Sequence, residues 1–265
     1  MRNIYIYTNN TELSAAAAEK ASELLSAEGY NVTGSFDGNA DMILVIGGDG
    51  AFLHAIKDTG FPEVPFLGIN TGHLGFFQEL LPEDTEDLLK FCGGEGYRLQ
   101  HCRLLEAEVS DPEGIHHDYA INDICIKDMY ASVARLRLSI GDNFVEHFSG
   151  DGVVIASSAG STGYNYSLDG CIVDPRVEAV QLTPIAPINS RAYRSFTSSL
   201  MFPPSYSIYV APDSDGNKTL GIYADGRVTN RGAVNWVRVA LSERKISVVR
   251  RADYDFWSKV ESKFL

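Results

Sequence analysis

Asp49 is the residue whose type and neighbours point most directly to chemistry. It sits in Gly47-Gly48-Asp49-Gly50, after the apolar run Met42 to Ile46 and before a helix-like segment from Ala51 to Lys57. A strand, a glycine turn and a helix start are the usual geometry for holding a phosphate. Glycines let backbone N–H groups approach an anion closely, and the helix N-terminus adds about half a positive charge. A carboxylate in the middle of that cradle repels phosphate unless it binds a cation or takes a proton. Position 49 therefore suits a base or a metal ligand, and sequence does not separate the two. The plainer alternative is a tight turn whose Asp caps the helix.

A second constellation runs from Gly150-Asp151-Gly152 through Val153 to Ala156 and into Gly160-Ser161-Thr162-Gly163-Tyr164. A strand lies between two turns of small residues. The second turn offers close backbone approach, two hydroxyls and, in Tyr164, a ring for a base or ribose with a phenolic donor. Ser161 or Thr162 could cap a following helix. An ordinary Ser- and Gly-rich turn is the plainer reading. His116-His117 reads as a solvated hairpin tip, with no neighbouring Cys or carboxylate at metal-ligand spacing. His73 suits a turn. Asp84, Glu86 and Asp87 read as the front of a helix, and Arg191 and Arg194 as cations that could meet phosphate.

The elements that must position these residues change character along the chain. Up to Gly96, strands alternate with helices: Ile4 to Thr8, a helix capped by Thr11 and stopped at Gly29, then Tyr30 to Phe36, Met42 to Ile46 and Phe66 to Asn70, and a helix opened by Pro82 and Asp84. That order implies an α/β domain with a mostly parallel sheet, whose ligands bind beyond the carboxyl ends of strands. From Tyr97 to Leu241 the runs are short and alternating, as in Arg135 to Ile140 with a return at Phe144 to Phe148. Val153 to Ala156, Val177 to Leu182, Ser207 to Val210 and Leu220 to Tyr223 continue the pattern. This half is expected to be all-β and sandwich-like. From Asp253 to Phe264, Phe256, Trp257, Val260 and Phe264 recur at helical spacing. The expected division is 1–96, 97–241, and a tail, 242–265, that returns to the first domain with its aromatic residues in the core.

Composition bounds the partners. The chain has 265 residues, 45% hydrophobic and 22% charged, with a net charge of −13. The balance suits a soluble globular protein, and the charge disfavours nucleic acid or an anionic membrane. The four cysteines have no C-x-x-C spacing and suit free thiols in a reducing cytoplasm. The start of the sequence is too short and polar for a signal peptide, and no apolar run approaches membrane-spanning length.

Taken together, the motifs resemble those of the bacterial NAD kinases. Gly47-Gly48-Asp49-Gly50, Gly68-Ile69-Asn70-Thr71-Gly72-His73-Leu74-Gly75-Phe76, Asn122-Asp123, Gly150-Asp151-Gly152, Gly160-Ser161-Thr162-Gly163-Tyr164, Leu182-Thr183-Pro184-Ile185-Ala186-Pro187 and Asp225-Gly226 occur in that family's order. The resemblance implies a Rossmann-like N-terminal domain, a β-rich C-terminal domain and a site in the cleft between them. It implies a kinase (a transferase) that phosphorylates the 2′-hydroxyl of the adenosine ribose of NAD to give NADP. ATP or inorganic polyphosphate would be the donor, with a divalent cation such as magnesium, and the assembly a homodimer or homotetramer. Asp49 would be catalytic. Gly48, Gly50, His54, Ser149, Ala159 and Asn165 would join the nucleotide site. Asn122, Asp123, Asp151 and Asp225 would bind the dinucleotide's hydroxyl and amide groups. Thr162, Gly163, Tyr164 and Ser167 would wrap adenosine. The chain departs from the family pattern at Ala51 for Thr, Asp123 for Glu, Ser149 for Arg, Ile188 for His, and in Ser158-Ala159 and Gly163. Gly-Gly-Asp-Gly also occurs in lipid and sphingoid kinases, which is one alternative; a non-catalytic dinucleotide-binding protein is the other.

Overall fold

The computed structural model describes residues 2–9, 11–73, 75–130, 132–189, 194–214 and 219–265. The chain divides into two units, 1–102 with 245–265, and 103–244. Both boundaries fall inside strands.

The first unit alternates strands and helices. β1 (Asn3–Thr8) is followed by α1 (Glu12–Ala27), β2 (Asn31–Thr33), β3 (Met42–Ile46), α2 (Asp49–Asp58), β4 (Phe66–Ile69), β5 (Gln78–Leu80) and α3 (Thr85–Gly93). Thr11 caps α1, its hydroxyl accepting from the Ser14 N–H at 3.3 Å. Asp84 stands at the N-cap of α3, and Gly94 ends it at φ 93°, a conformation that glycine adopts without strain. The strands pair in parallel in the order β2-β1-β3-β4-β5. Met42, Leu44 and Ile46 join a core with residues of α1 and α3. Alternation turns Ile43 and Val45 to the opposite face. There Phe52 of α2 lies 5.9 Å from Phe66 and stacks on Phe77 at 4.9 Å. β2 is shorter than the expected Tyr30 to Phe36 because only Asn31 to Thr33 find partners on β1.

The second unit is built from β6 (Tyr97–Asp111), β7 (Gly114–Ala120), β8 (Asp123–Asp128), β9 (Ala134–Ile140), β10 (Asn143–Gly150), β11 (Gly152–Ser157), β12 (Val180–Ile185), β13 (Leu200–Phe202), β14 (Ile208–Pro212), β15 (Thr219–Ala224), β16 (Arg227–Ala233) and β17 (Trp236–Arg251). One antiparallel sheet runs β10-β9-β14-β17, and the other β13-β12-β11-β8-β15-β16. Leu136, Leu138 and Phe148 of the first share a core with Ile124, Val153, Ile155 and Leu182 of the second. The opposite face of the second sheet buries Cys125, Val154 and Ala156 against Tyr164, Leu168 and Tyr223. Both faces are covered, which explains why Val153 to Ala156 is continuously apolar. β12 starts three residues later than expected, because Val177 bonds back to Asp174 in a turn at 2.9 Å. His116 and His117 lie in β7, not at the hairpin tip, and pair with Asp111 and Glu106.

β17 carries the chain back into the first unit, where Val248 pairs in parallel with Phe66. α4 (Phe256–Phe264) then packs on that unit, Phe256 and Phe264 each 5.9 Å from Phe76. Trp257 departs from the expected core and is 48% exposed, because α4 turns only one face to the sheet. Cys92, Cys102, Cys125 and Cys171 are free. Among the described residues, no helix is long and apolar enough to cross a membrane.

The most buried ion pair of the first unit among the described residues joins Glu79 to Arg250 at 2.7 Å, with both side chains at most 3% exposed. Arg250 also donates to Gln100 and to the carbonyl of Phe76, and Lys259 meets Glu79 at 2.9 Å. Burial pulls the Lys259 ammonium below the usual lysine range, and the Glu79 charge opposes that shift. Glu79→Ala leaves two buried cations without their anion. It should cost about 3–5 kcal/mol, read as a lower denaturant midpoint with little change in slope.

Candidate active site

The first constellation forms where β3 ends. Gly47 holds φ 153°, and a Cβ there would meet that of Ala51 at 2.6 Å. Ala51 is itself buried, so the turn closes tightly over a small side chain. A Cβ on Gly48 or Gly50 would meet nothing within 4 Å, which leaves open space beside the turn. Gly48 is the N-cap of α2, with no side-chain cap.

Asp49 does not cap the helix. Its Oδ2 accepts the N–H of Phe76 and its Oδ1 the N–H of Phe77, both at 3.0 Å. Lys263 of α4 donates to Oδ2 at 3.1 Å. A carboxylate has about four lone-pair positions, and these donors fill three. The remaining position, on Oδ1, has no donor among the described residues. Gly75 makes this arrangement possible: a Cβ there would stand 2.4 Å from Oδ1 and 2.0 Å from Oε1 of Gln78.

The second constellation is held by another aspartate. Asp225, at φ 49° beside Gly226 at φ 75°, accepts the N–H groups of Ile121, Asn122 and Asp123 at 2.8, 2.7 and 3.1 Å. Its carboxylate thus organises the backbone that presents Asn122 and Asp123. Gly160 and Gly163 lie against that backbone. A Cβ on Gly160 would meet the Asn122 carbonyl at 2.1 Å, and one on Gly163 would come within 4.0 Å of the Asp123 carboxylate. The Asn122 Oδ1 is buried with no partner among the described residues. Lys127 donates to the Tyr164 hydroxyl at 3.1 Å and lies 4.9 Å over its ring, which fixes the ring.

The other expected site residues fall into groups. Thr162, Gly163 and Tyr164 are half-buried beside Asn122 and Asp123, Ala159 is half-buried, and Ser167 and Asp151 are exposed. Asn165 is fully buried, accepting from Thr183 at 2.6 Å, so it braces the turn from inside. Ser149 is buried, its N–H donating to Ser195. No α-helix starts at Ser161 or Thr162. Residues 159–162 form a single 3-10 turn, because the Ser161 hydroxyl is tied to Val173. His54 is exposed on α2, about 140° round the helix from Asp49 at 100° per residue. Arg194 is exposed, and Arg191 lies outside the described residues. Lys263 and Lys127 are cations placed against Asp49 and Tyr164 that no motif marks.

Burial pushes the Asp123 carboxyl up to about 7, with the Asp225 charge adding to the rise and Lys127 opposing it.

The fold accords with the comparisons. Residues 4–95 match the family model for the ATP-NAD kinase N-terminal domain and residues 121–251 that for the C-terminal domain. The chain is 34% identical to the NAD kinase of Finegoldia magna over 99% of its own length and 97% of the relative's. It is 31% identical to that of Pediococcus pentosaceus, with the same coverage. Two solved structures share the fold. One is yeast NADH kinase complexed with NADH, with a TM-score of 0.85 at 22% identity over 99% of this chain and 87% of that one. The other is an NAD kinase from Archaeoglobus fulgidus in complex with ATP, with 0.77 at 24% over 99% of each.

Two outcomes are expected. Asp49→Asn keeps one acceptor oxygen and turns an amide toward backbone donors. It should lower stability by about 1–3 kcal/mol and turnover by at least about 10²-fold, read as melting temperature and initial rate. For Asp123, the folded value near 7 stands above about 3.9 in the unfolded chain. Between those values the folded chain holds a proton that the unfolded chain lacks, so stability falls as pH rises. The melting temperature of Asp123→Asn should therefore gain on the parent's from about pH 4 upward, with the full gap above pH 7.

Proposed function

Because the chain belongs to the NAD kinase family, we infer that it transfers a phosphoryl group to the 2′-hydroxyl of the adenosine ribose of NAD, giving NADP. Both family models match, which sets aside the lipid and sphingoid alternative. The observation that carries the chemistry is the Asp49 carboxylate, held at the start of α2 with one lone-pair position on Oδ1 that has no donor among the described residues.

In this reading Asp49 is the base. As the ribose oxygen bonds to the donor's terminal phosphorus, its proton passes to Oδ1, and the donor's terminal phosphoanhydride bond breaks. A base so placed contributes about 10²–10⁴-fold. Asn122, Asp123 and the turn carrying Thr162, Gly163 and Tyr164 hold the dinucleotide. Asp225 acts through the backbone it orders. The unpartnered Asn122 Oδ1 supports this assignment, since a buried acceptor left open is costly without a ligand donor.

We propose ATP as donor, in keeping with the ATP complex of the Archaeoglobus relative. Inorganic polyphosphate carries the same terminal bond and is the second arm of the assay. Among the described residues, no group of three or more His, Cys, Asp or Glu is placed to hold a metal ion, and Asp49 is already engaged. These residues supply no cage of three or more protein ligands for a resident magnesium ion. A divalent cation would be carried chiefly on the donor's phosphates. We further propose a homodimer or homotetramer, and a reducing cytoplasm, which suits the four free thiols.

Purified protein with NAD, magnesium and either ATP or polyphosphate should form NADP with at least one donor. No NADP with either donor, despite measured NAD binding, would overturn this reading.

A further inference from the structure

The glycine turn leaves one problem unsolved. Phosphate groups brought beside Asp49 meet its negative charge, in a chain whose net charge is −13. The cation that answers this lies far along the sequence. Lys263 reaches from α4 to Oδ2 of Asp49 at 3.1 Å, and its ammonium stands 4.6 Å over the Phe76 ring. The side chain is 30% exposed. An ammonium has three donors. One goes to Asp49, one side is occupied by the ring, and the exposed part can face an incoming anion.

Independent features surround it. The space beside Gly48 and Gly50 is open. The first N–H groups of α2 have no acceptors within the helix. Gln78 is 4% exposed, and neither atom of its amide has a partner among the described residues. Its Oε1 and the Asp49 Oδ1 converge on the same point above Gly75. A buried amide without partners among the described residues, beside the carboxylate that Lys263 meets, is a group that a polar ligand can satisfy.

We propose that Lys263 is a binding residue for the phosphoryl donor, its ammonium bridging the Asp49 carboxylate and an oxygen of the donor's phosphate chain. The proposal rests on the reading of Asp49 as the phosphoryl-transfer centre. Lys263 screens the carboxylate in the empty site and shares its charge with phosphate in the filled one. The chain then carries at this point a cation of its own, besides any that arrives with the donor. An arginine suits the same role, because it also donates to phosphate and carboxylate together.

The test compares the parent with Lys263→Met, which keeps most of the length of the side chain without its charge, and with Lys263→Arg. The probe is inorganic tripolyphosphate, titrated by calorimetry, alongside KM for ATP and for NAD. Lys263→Met should bind tripolyphosphate at least tenfold more weakly and raise KM for ATP by a similar factor. Its KM for NAD and its melting temperature should stay near the parent's, and Lys263→Arg should restore binding to within threefold. Unchanged tripolyphosphate affinity in Lys263→Met overturns the proposal, as does a parent that does not bind the probe. A fall in kcat with KM for ATP unchanged also overturns it, leaving Lys263 only as a support for Asp49. Tripolyphosphate binding that depends on Lys263 in a protein that forms no NADP would sink the proposed activity and keep the anion site. NADP formation with an unaltered KM for ATP in Lys263→Met would do the reverse.

Discussion

The carboxylate of Asp49 accepts two successive backbone N–H groups, from Phe76 and Phe77, and much of the first unit is arranged so that it can. Hydrogen bonds to a charged acceptor are about twice as strong as neutral ones, but they demand that the donors stay in place. Phe77 is held by stacking on Phe52 of the same helix that carries Asp49. The Phe76 carbonyl is held by Arg250, and Arg250 by Glu79. Gly75 leaves room for the carboxylate. Lys259 and Lys263, four residues apart on one face of α4, tie down Glu79 and Asp49. The glycine turn, the segment after it and the last helix are thereby one mechanical unit.

The second unit repeats the device. Asp225 accepts three successive N–H groups, from Ile121 to Asp123, across a gap of about a hundred residues. In both cases an aspartate at a turn gathers the backbone of a remote segment and fixes the side chains it presents. The second case has an electrostatic side effect. Asp225 is thereby set close to the buried Asp123, and its charge adds to the burial that keeps Asp123 protonated up to about pH 7.

Local sequence carried the class of both units and the helix of the tail, because each rests on short-range pattern. Strand-helix alternation reads directly up to Gly96, Thr11 caps α1 as its type suggests, and the period of Phe256 and Phe264 places α4 on the first unit. The Gly-rich turns were equally visible, since close backbone approach demands those residues. What was not legible depends on partners distant in the chain. Asp49 next to a helix start looks like a cap, and only the fold shows Phe76 and Phe77 as its donors. Lys263 reads as one more charge on a solvated helix face, while His54, nearer in sequence, is turned away by helical geometry. Asn165 lies in a motif whose neighbours are expected to hold the nucleotide, yet its contact with Thr183 puts it inside. The length of β2 was overestimated because β1 pairs only three of its residues.

The first unit is closed by residues that follow the second. Phe66 gains its neighbour on the far side from β3 only when Val248 arrives, and Glu79 has no buried counter-charge until Arg250 and Lys259 do. During synthesis, which proceeds from the N-terminus at about 5–20 residues per second, the first hundred residues emerge early and wait. Residues 103–244 can complete their own sheets in that interval. The Lys263 ammonium follows the Asp49 carboxylate it meets by 214 residues. A nascent chain thus holds the glycine turn and its carboxylate well before it holds the lysine that pairs with them.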